Sequence, residues 1–302
     1  MPASAARPSI TPAAAGEKPR PHPAVERLAH ETRVREGPVP DAVDGVSVSE
    51  GSFHLGEESF LIRPGKGIAL LYRRGEGITL DRPADADPRD IALWLNGTAY
   101  SAVAVLNGLF PLHASAVAHD GGVRAFTGPT GAGKSTLVAA LGRAGFAQFC
   151  DDTLLLDTSK PGAPICLPGH KRLKLWPEGA ALAGVRGTER VASDFAKVFV
   201  DPAGGIIDRP LPLAELVFLE QGADEALLPV AGGERIERLR DDHYTAQMWT
   251  QASGRSRAQL FTELAGIAAR IPMRRFVRPF EAGRFADGVA FIADYLRGES
   301  GR

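Results

Sequence analysis

The chain is 302 residues long, which suggests one large or two modest domains, and its 44% apolar content is enough to build a core. Lys plus Arg (35) against Asp plus Glu (36) gives a net charge of -1, which argues against a whole-surface nucleic-acid binder. Two cysteines, Cys150 and Cys166, exclude a disulfide scaffold and a Cys-rich zinc site, so a reducing cytoplasm is expected.

Residues 1–24 are rich in Ala and Pro with few large apolar side chains, and predict a disordered tail. That stretch has no apolar run of the kind a secretory signal needs. From about Val25 to Pro88 short alternating runs (SFHLGEESFLIRP, GIALLYRR, GITLDRP) predict a small antiparallel β-rich region, with a boundary near Asp87. Residues 89–302 then read as one further domain. Its first segment, Arg89 to Leu109, has apolar residues at helical spacing. The most apolar window, Tyr100 to Ala118, is broken by Asn107, Gly108, Pro111 and His113, so no membrane partner is expected. PLHASAVAH and VRAFTG read as the arms of a hairpin around Asp120-Gly121-Gly122. TLVAALGRAG reads as a helix, and FAQFC and TLLL as short strands on either side of Asp151-Asp152. Further on, ICLPGHKRLKLWP is followed by a helical EGAALAGV. LAELVFLE is a buried strand, and two helices, around 255–270 and 284–297, flank the strand-like MRRFVRPF.

The hairpin's second arm runs into Gly128-Pro129-Thr130-Gly131-Ala132-Gly133-Lys134-Ser135, which fits the phosphate-loop pattern G-x-x-x-x-G-K-[ST]. Glycines let backbone N–H groups turn inward and approach phosphate oxygens closely. The strand before and the helix after are the context the pattern requires. Gly128, Thr130, Gly131, Ala132, Gly133, Lys134, Ser135 and Thr136 are therefore the candidate nucleotide contacts, with ATP and Mg²⁺ as cofactors. Asp152 follows Lys134 by eighteen residues at the end of the next strand. In a parallel α/β sheet neighbouring strands end on the ligand side, so the carboxylates are expected beside the γ-phosphate.

His113, the GPTGAGKS loop and Asp151-Asp152, in that order and at these spacings, resemble the catalytic domain of HPr kinase/phosphorylase, a bacterial serine kinase with a core akin to phosphoenolpyruvate carboxykinase. The resemblance is close over about Pro111 to Asp157 and absent from the first hundred residues. It implies an α/β phosphate-loop kinase core. It also implies Asp152 as general base, His113 and Lys134 as catalytic groups serving the γ-phosphoryl, and Ser135 as a holder of Mg²⁺; Asp151, its neighbour in the pair, is taken as the second metal ligand. No EIRG-like segment with the family's metal-binding Glu is found, since GHKRLKLW occupies that stretch, and no RPGRN-like motif either. The chain therefore looks more like relatives that phosphorylate a serine on ribosomally made peptides such as lasso-peptide precursors. The expected partner is a peptide or small protein with an acceptor serine, and self-association is left open. The alternatives are an HPr serine kinase and a nucleotide-sensing module without turnover.

Arg172 and Lys174 alternate with Leu173 and Leu175, so a strand would put both on one face, for phosphate contact or for water. Lys197, within FAKVFV, is a third candidate contact, although a snorkelling surface lysine is the simpler expectation. Arg270, Arg274, Arg275, Arg278 and Arg284 read as a solvated basic face, with docking of an acidic peptide as the alternative. His119 and His243 are singletons.

Overall fold

The computed structural model describes residues 21–240, 248 and 256–299. Most of the expected tail and His243 lie outside these residues. At Pro23 the chain is helical, which corrects the strand-like reading from Val25: α1 spans Pro23–Glu31. Proline's fixed φ suits the first helical position, and the His22 ring accepts the Ala24 N–H as the cap. The cap was hard to read because no Ser, Thr, Asp or Asn opens the segment. Ala24 and Leu28, one turn apart, form its buried stripe.

Strand β1 (Val34–Glu36) is followed by the small hairpin β2 (Ala42–Val43) and β3 (Val46–Ser47). Then come β4 (Ser52–Leu55), β5 (Ser59–Gly65), β6 (Ile68–Arg73) and β7 (Gly77–Asp81). They form a five-stranded sheet in the order β1-β7-β6-β5-β4, antiparallel except that β1 runs parallel to β7. Side chains alternate across it. Phe60, Ile62, Leu70 and Tyr72 join the main apolar cluster of the molecule, whereas Leu61, Ala69 and Leu71 pack with Val39, Val43 and Val48 outside. The expected helix exists as α2 (Pro88–Trp94), a π-helical stretch Leu95–Ala99 and α3 (Tyr100–Leu106), with Asp87 capping α2.

The second sheet gathers β8 (Phe110–Leu112), β9 (Ser115–His119) and β10 (Gly122–Thr127). After α4 (Lys134–Arg143) it adds β11 (Ala147–Cys150), β12 (Leu154–Asp157) and β13 (Ile165–Leu167). Strand β14 (Leu173–Leu175), α5 (Pro177–Leu182), β15 (Arg190–Ala192) and β16 (Phe195–Val200) form a side lobe with its own three-stranded sheet. Strands β17 (Leu211–Gln221), β18 (Ala226–Pro229) and β19 (Met273–Arg278) complete the large sheet. Its order is β11-β9-β10-β17, with β19 and β18 beyond β17 and β13-β12-β8 branching from the start of β17. PLHASAVAH is thus not one strand. It breaks at His113, so that β8 pairs with β12 and β9 with β10 and β11. β10, β17 and β19 are parallel.

The central strands are buried on both faces. Ala116, Ala125, Leu216 and Phe218 face α3 and the helix Arg257–Arg270, while Val117, Phe126, Val217 and Leu219 face α4 and the helix Phe285–Arg297. A leucine buried as completely as Leu137 or Leu141 of α4 contributes roughly 1.5–3 kcal/mol, so α4 and the loop before it are held firmly on the sheet. The architecture is mixed α/β. Among the described residues no helix is long and apolar enough to cross a membrane.

Candidate phosphate-binding site

The loop Gly128–Gly133 joins the end of β10 to the start of α4. Gly128 sits at φ +141°, where an added Cβ would lie 3.0 Å from the Leu219 carbonyl oxygen of the neighbouring strand. Gly133, at φ +84°, is the residue before α4. The first bond into α4 runs from the Leu137 N–H to the Gly133 carbonyl at 2.8 Å. The Ser135 and Thr136 N–H groups precede that first intrahelical bond, which with the helix dipole makes an anion seat. Lys134 is 7% exposed, and its ammonium reaches back across the loop to the Gly128 carbonyl at 2.8 Å and the Pro129 carbonyl at 3.4 Å. Pro129, Thr130 and Gly131 form the exposed rim, Ala132 is buried beneath it, and Thr136 turns its side chain toward Gly179 of α5.

Ser135 meets the first of the two carboxylates, Asp151, although the strands are not ordered as a simple parallel sheet would have them. The strand beside β10 is β9, and β11 lies beyond it. Because β9 is antiparallel to both, β11 and β10 run the same way and end on the same edge. Asp151, just past β11, is 1% exposed. Its Oδ1 accepts hydrogen bonds from the Ser135 hydroxyl at 2.8 Å and the Ser115 hydroxyl at 2.6 Å, and its Oδ2 from the Lys174 N–H at 2.8 Å. Burial and then the neighbouring Asp152 push its carboxyl above the usual range, against the pull of these donors. Ser115, on β9, escaped the sequence reading: a small polar residue in an apolar strand carries no spacing signal. His170, in the loop before β14, escaped it too; its carbonyl accepts the Asp151 N–H at 3.0 Å.

Asp152 differs from its neighbour. It adopts φ +71°, a left-handed conformation that Asp tolerates better than most residues, and its side chain is 28% exposed. Lys174 Nζ stands 2.8 Å from Oδ2, and His113 Nδ1 lies 2.9 Å from its carbonyl oxygen and 3.5 Å from Oδ1. Burial would raise its pKa, but Lys174, His113 and, at longer range, Lys197 outweigh it and hold the carboxyl below its ordinary value. Lys197 lies over the Trp176 and Phe195 rings at 5.7 and 5.5 Å, near enough to contribute charge without contact.

Arg172 does not join Lys174 at the site, contrary to the shared-face expectation. It precedes β14, bonds Glu189 at 2.6 Å and Thr188 at 2.7 Å, and stacks on Phe199 at 4.3 Å. The C-terminal arginines are not a solvated face either. Arg274 pairs with Glu215 at 2.8 Å and Arg284 with Glu225 at 2.8 Å; Arg275 lies 3.6 Å from Glu220. Arg270 donates to the Lys160 carbonyl at 2.7 Å, and Arg278 is buried.

Beside the loop Pro168–Lys171 lies a cavity of about 470 Å³, walled by Val34, Ile78, Leu95, Asn96, Tyr100 and His170. Burial pushes the Tyr100 phenol up to about 12. Burial and then Lys174 hold the His170 imidazole below its usual value.

No protein-family model and no curated protein matches this chain. Among the solved structures that match is the HPr(Ser) kinase/phosphatase from Coxiella burnetii, with 14% identity and a TM-score of 0.35 over 62% of this chain and 88% of that one. A likeness of that size assigns no activity.

Proposed function

We propose that this chain is an ATP-dependent kinase that transfers the γ-phosphoryl group to a serine hydroxyl of a peptide or small protein, with a ribosomal precursor peptide of the lasso type as the substrate class. The observation that carries this reading is the 2.8 Å bond between the Ser135 hydroxyl at the loop's end and Asp151, with a second carboxylate, Asp152, next in the chain. A loop alone would serve any nucleotide binder. Transfer to a hydroxyl needs in addition a metal ligand and a base.

The oxygens gathered at Asp151 fit Mg²⁺. Ser135 Oγ and Asp151 Oδ1 are hard donors, and Mg²⁺ takes one or two protein groups and leaves its other positions to phosphate and water. When bound, the ion would neutralise charge on the β- and γ-phosphates. The helix N–H groups bind the phosphates, and Lys134, released from the loop carbonyls, lies along them. Asp152 is kept ionised by Lys174 and His113 and accepts the acceptor's hydroxyl proton at a carboxylate oxygen. Its depressed pKa makes it a weak base, so the rate rests on positioning and charge neutralisation.

Lys134→Ala tests the reading. Transfer should be abolished with the thermal midpoint little changed, because the ammonium faces the loop carbonyls and not the apolar core. Near wild-type turnover in that variant would remove the loop from the reaction.

A further inference from the structure

Arg278, the last residue of β19, is 6% exposed. Its guanidinium lies over the rings of Phe280 at 4.9 Å and Phe285 at 5.9 Å, and Nη2 donates to the carbonyl oxygen of Ala132, inside the phosphate loop, at 3.0 Å. Among the described residues it has no acidic partner, and Nε is buried without a hydrogen bond. Its arginine neighbours on β19 and beyond are all salt-bridged, so Arg278 stands apart. Burial lowers its pKa with no carboxylate working against it. Leaving a guanidinium unpaired in the interior is costly unless something anionic arrives beside it.

We infer that Arg278 is a positioning residue for nucleotide binding, which orients the loop peptide and supplies the positive charge that a bound diphosphate neutralises. This rests on the nucleotide-binding part of the function proposed above. The peptide bond between Ala132 and Gly133 is trans, so its C=O and N–H point to opposite sides. With the oxygen tied outward to Arg278, the Gly133 N–H is turned to the inside of the loop. Gly133 adopts φ +84°, a left-handed conformation that favours glycine, and a Cβ there would also lie 2.8 Å from Arg278 Nη2. Ala132 and Gly133 stand at the part of the loop that cradles the inner phosphates. Arg278 therefore acts alike on nucleoside di- and triphosphates and does not act on the transferring phosphoryl group.

The test uses the full chain with Arg278→Met and Arg278→Lys. Dissociation constants for Mg-ADP and Mg-ATP are measured by calorimetry, and the thermal midpoint is measured without nucleotide. The Met variant should bind both nucleotides about 10- to 100-fold more weakly and by the same factor, because the loop peptide is no longer held turned and a positive charge near the phosphates is gone. Its midpoint without nucleotide should not fall, because removal of an unpaired buried charge offsets the lost hydrogen bond. The Lys variant, which keeps charge and a donor, should recover most of the affinity. Wild-type affinity in the Met variant overturns the inference and leaves the nucleotide reading intact. A Met variant that unfolds or melts lower without nucleotide, with weak binding unrescued by Lys, makes Arg278 a structural residue only. A wild-type protein that binds neither nucleotide overturns both readings.

Discussion

Two adjacent carboxylates, Asp151 and Asp152, are pulled in opposite directions by their surroundings. Asp151 is buried beside another acid, and both raise its pKa above the ordinary carboxylate value. Asp152 leans on Lys174 and His113, and its charged form is favoured throughout the neutral range. The division suggests a metal holder and a proton acceptor, and substitution separates them. Asp152→Asn is nearly isosteric but cannot take a proton, so transfer should fall by roughly 10²–10⁴ while Mg-ATP affinity holds or tightens. Asp151→Asn should lose transfer in a way that raised Mg²⁺ partly restores. Steady-state rates across a Mg²⁺ titration check both, and equal, Mg²⁺-rescuable losses in the two variants would contradict the assignment. At this scale the sequence was informative where the chain itself brings groups together: the loop and the Asp pair are separated by one helix and one short strand. It was silent where strands do so. Ser115 meets Asp151 across two neighbouring strands, and Arg278 meets Ala132 from a distance of 146 residues in the chain.

At the scale of elements, polar ties join the N-terminal sheet to the lobe that carries Lys174. Asp90, at the start of α2, is 5% exposed and accepts from Lys66 Nζ at 2.8 Å and from the Ser193 N–H and hydroxyl at 2.8 and 2.7 Å. Lys66 belongs to the turn between β5 and β6, and Ser193 to the turn between β15 and β16. Burial alone would raise the Asp90 pKa, but the Lys66 and Ser193 bonds outweigh it and bring it down to about 2. A folded pKa below the ordinary carboxylate value of about 3.9 adds stability that is complete above about pH 4. That stability is lost as pH falls from there towards about 2. Asp90→Asn should therefore lower stability at pH 7 by about 1–3 kcal/mol and flatten the difference from wild type below pH 3, read by denaturant unfolding. A difference that stays constant with pH would mean that the charge plays no part. A second, buried tie joins the sheet to helices instead, with Glu31 of α1 accepting from Tyr72 of β6 at 2.8 Å and Tyr72 accepting from Asn107, just after α3, at 2.9 Å. Neither tie shows in the sequence, because each joins residues dozens of positions apart. The periodic strands β5 to β7 and the helix around α3 were legible, since alternation and helical spacing are local properties. α1 was not, since its stripe is only Ala24 and Leu28 and its cap is a histidine ring.

At the scale of the whole molecule, one apolar cluster runs from Ala24 through the inner face of the five-stranded sheet and α3 to Met273. The N-terminal region thus packs on the same core as the phosphate loop's sheet, and Val34 and Ile78 wall the cavity that ends at His170. The basic C-terminal stretch was misread because its partners, Glu215 and Glu220 of β17 and Glu225 after it, lie some fifty to sixty residues earlier and become neighbours only when β19 pairs with β17. The central claim, phosphoryl transfer to a serine, is tested most directly by following the γ-phosphate of labelled Mg-ATP. The full chain and its Asp152→Asn variant are incubated with a pool of serine-containing peptides, with HPr added in a parallel reaction. The account predicts label on serine with the wild-type chain and a loss of roughly 10²–10⁴ in the variant. Tight Mg-ATP binding by both proteins, with neither labelled serine nor ADP formed above the variant's level, would contradict it and leave a nucleotide-sensing module.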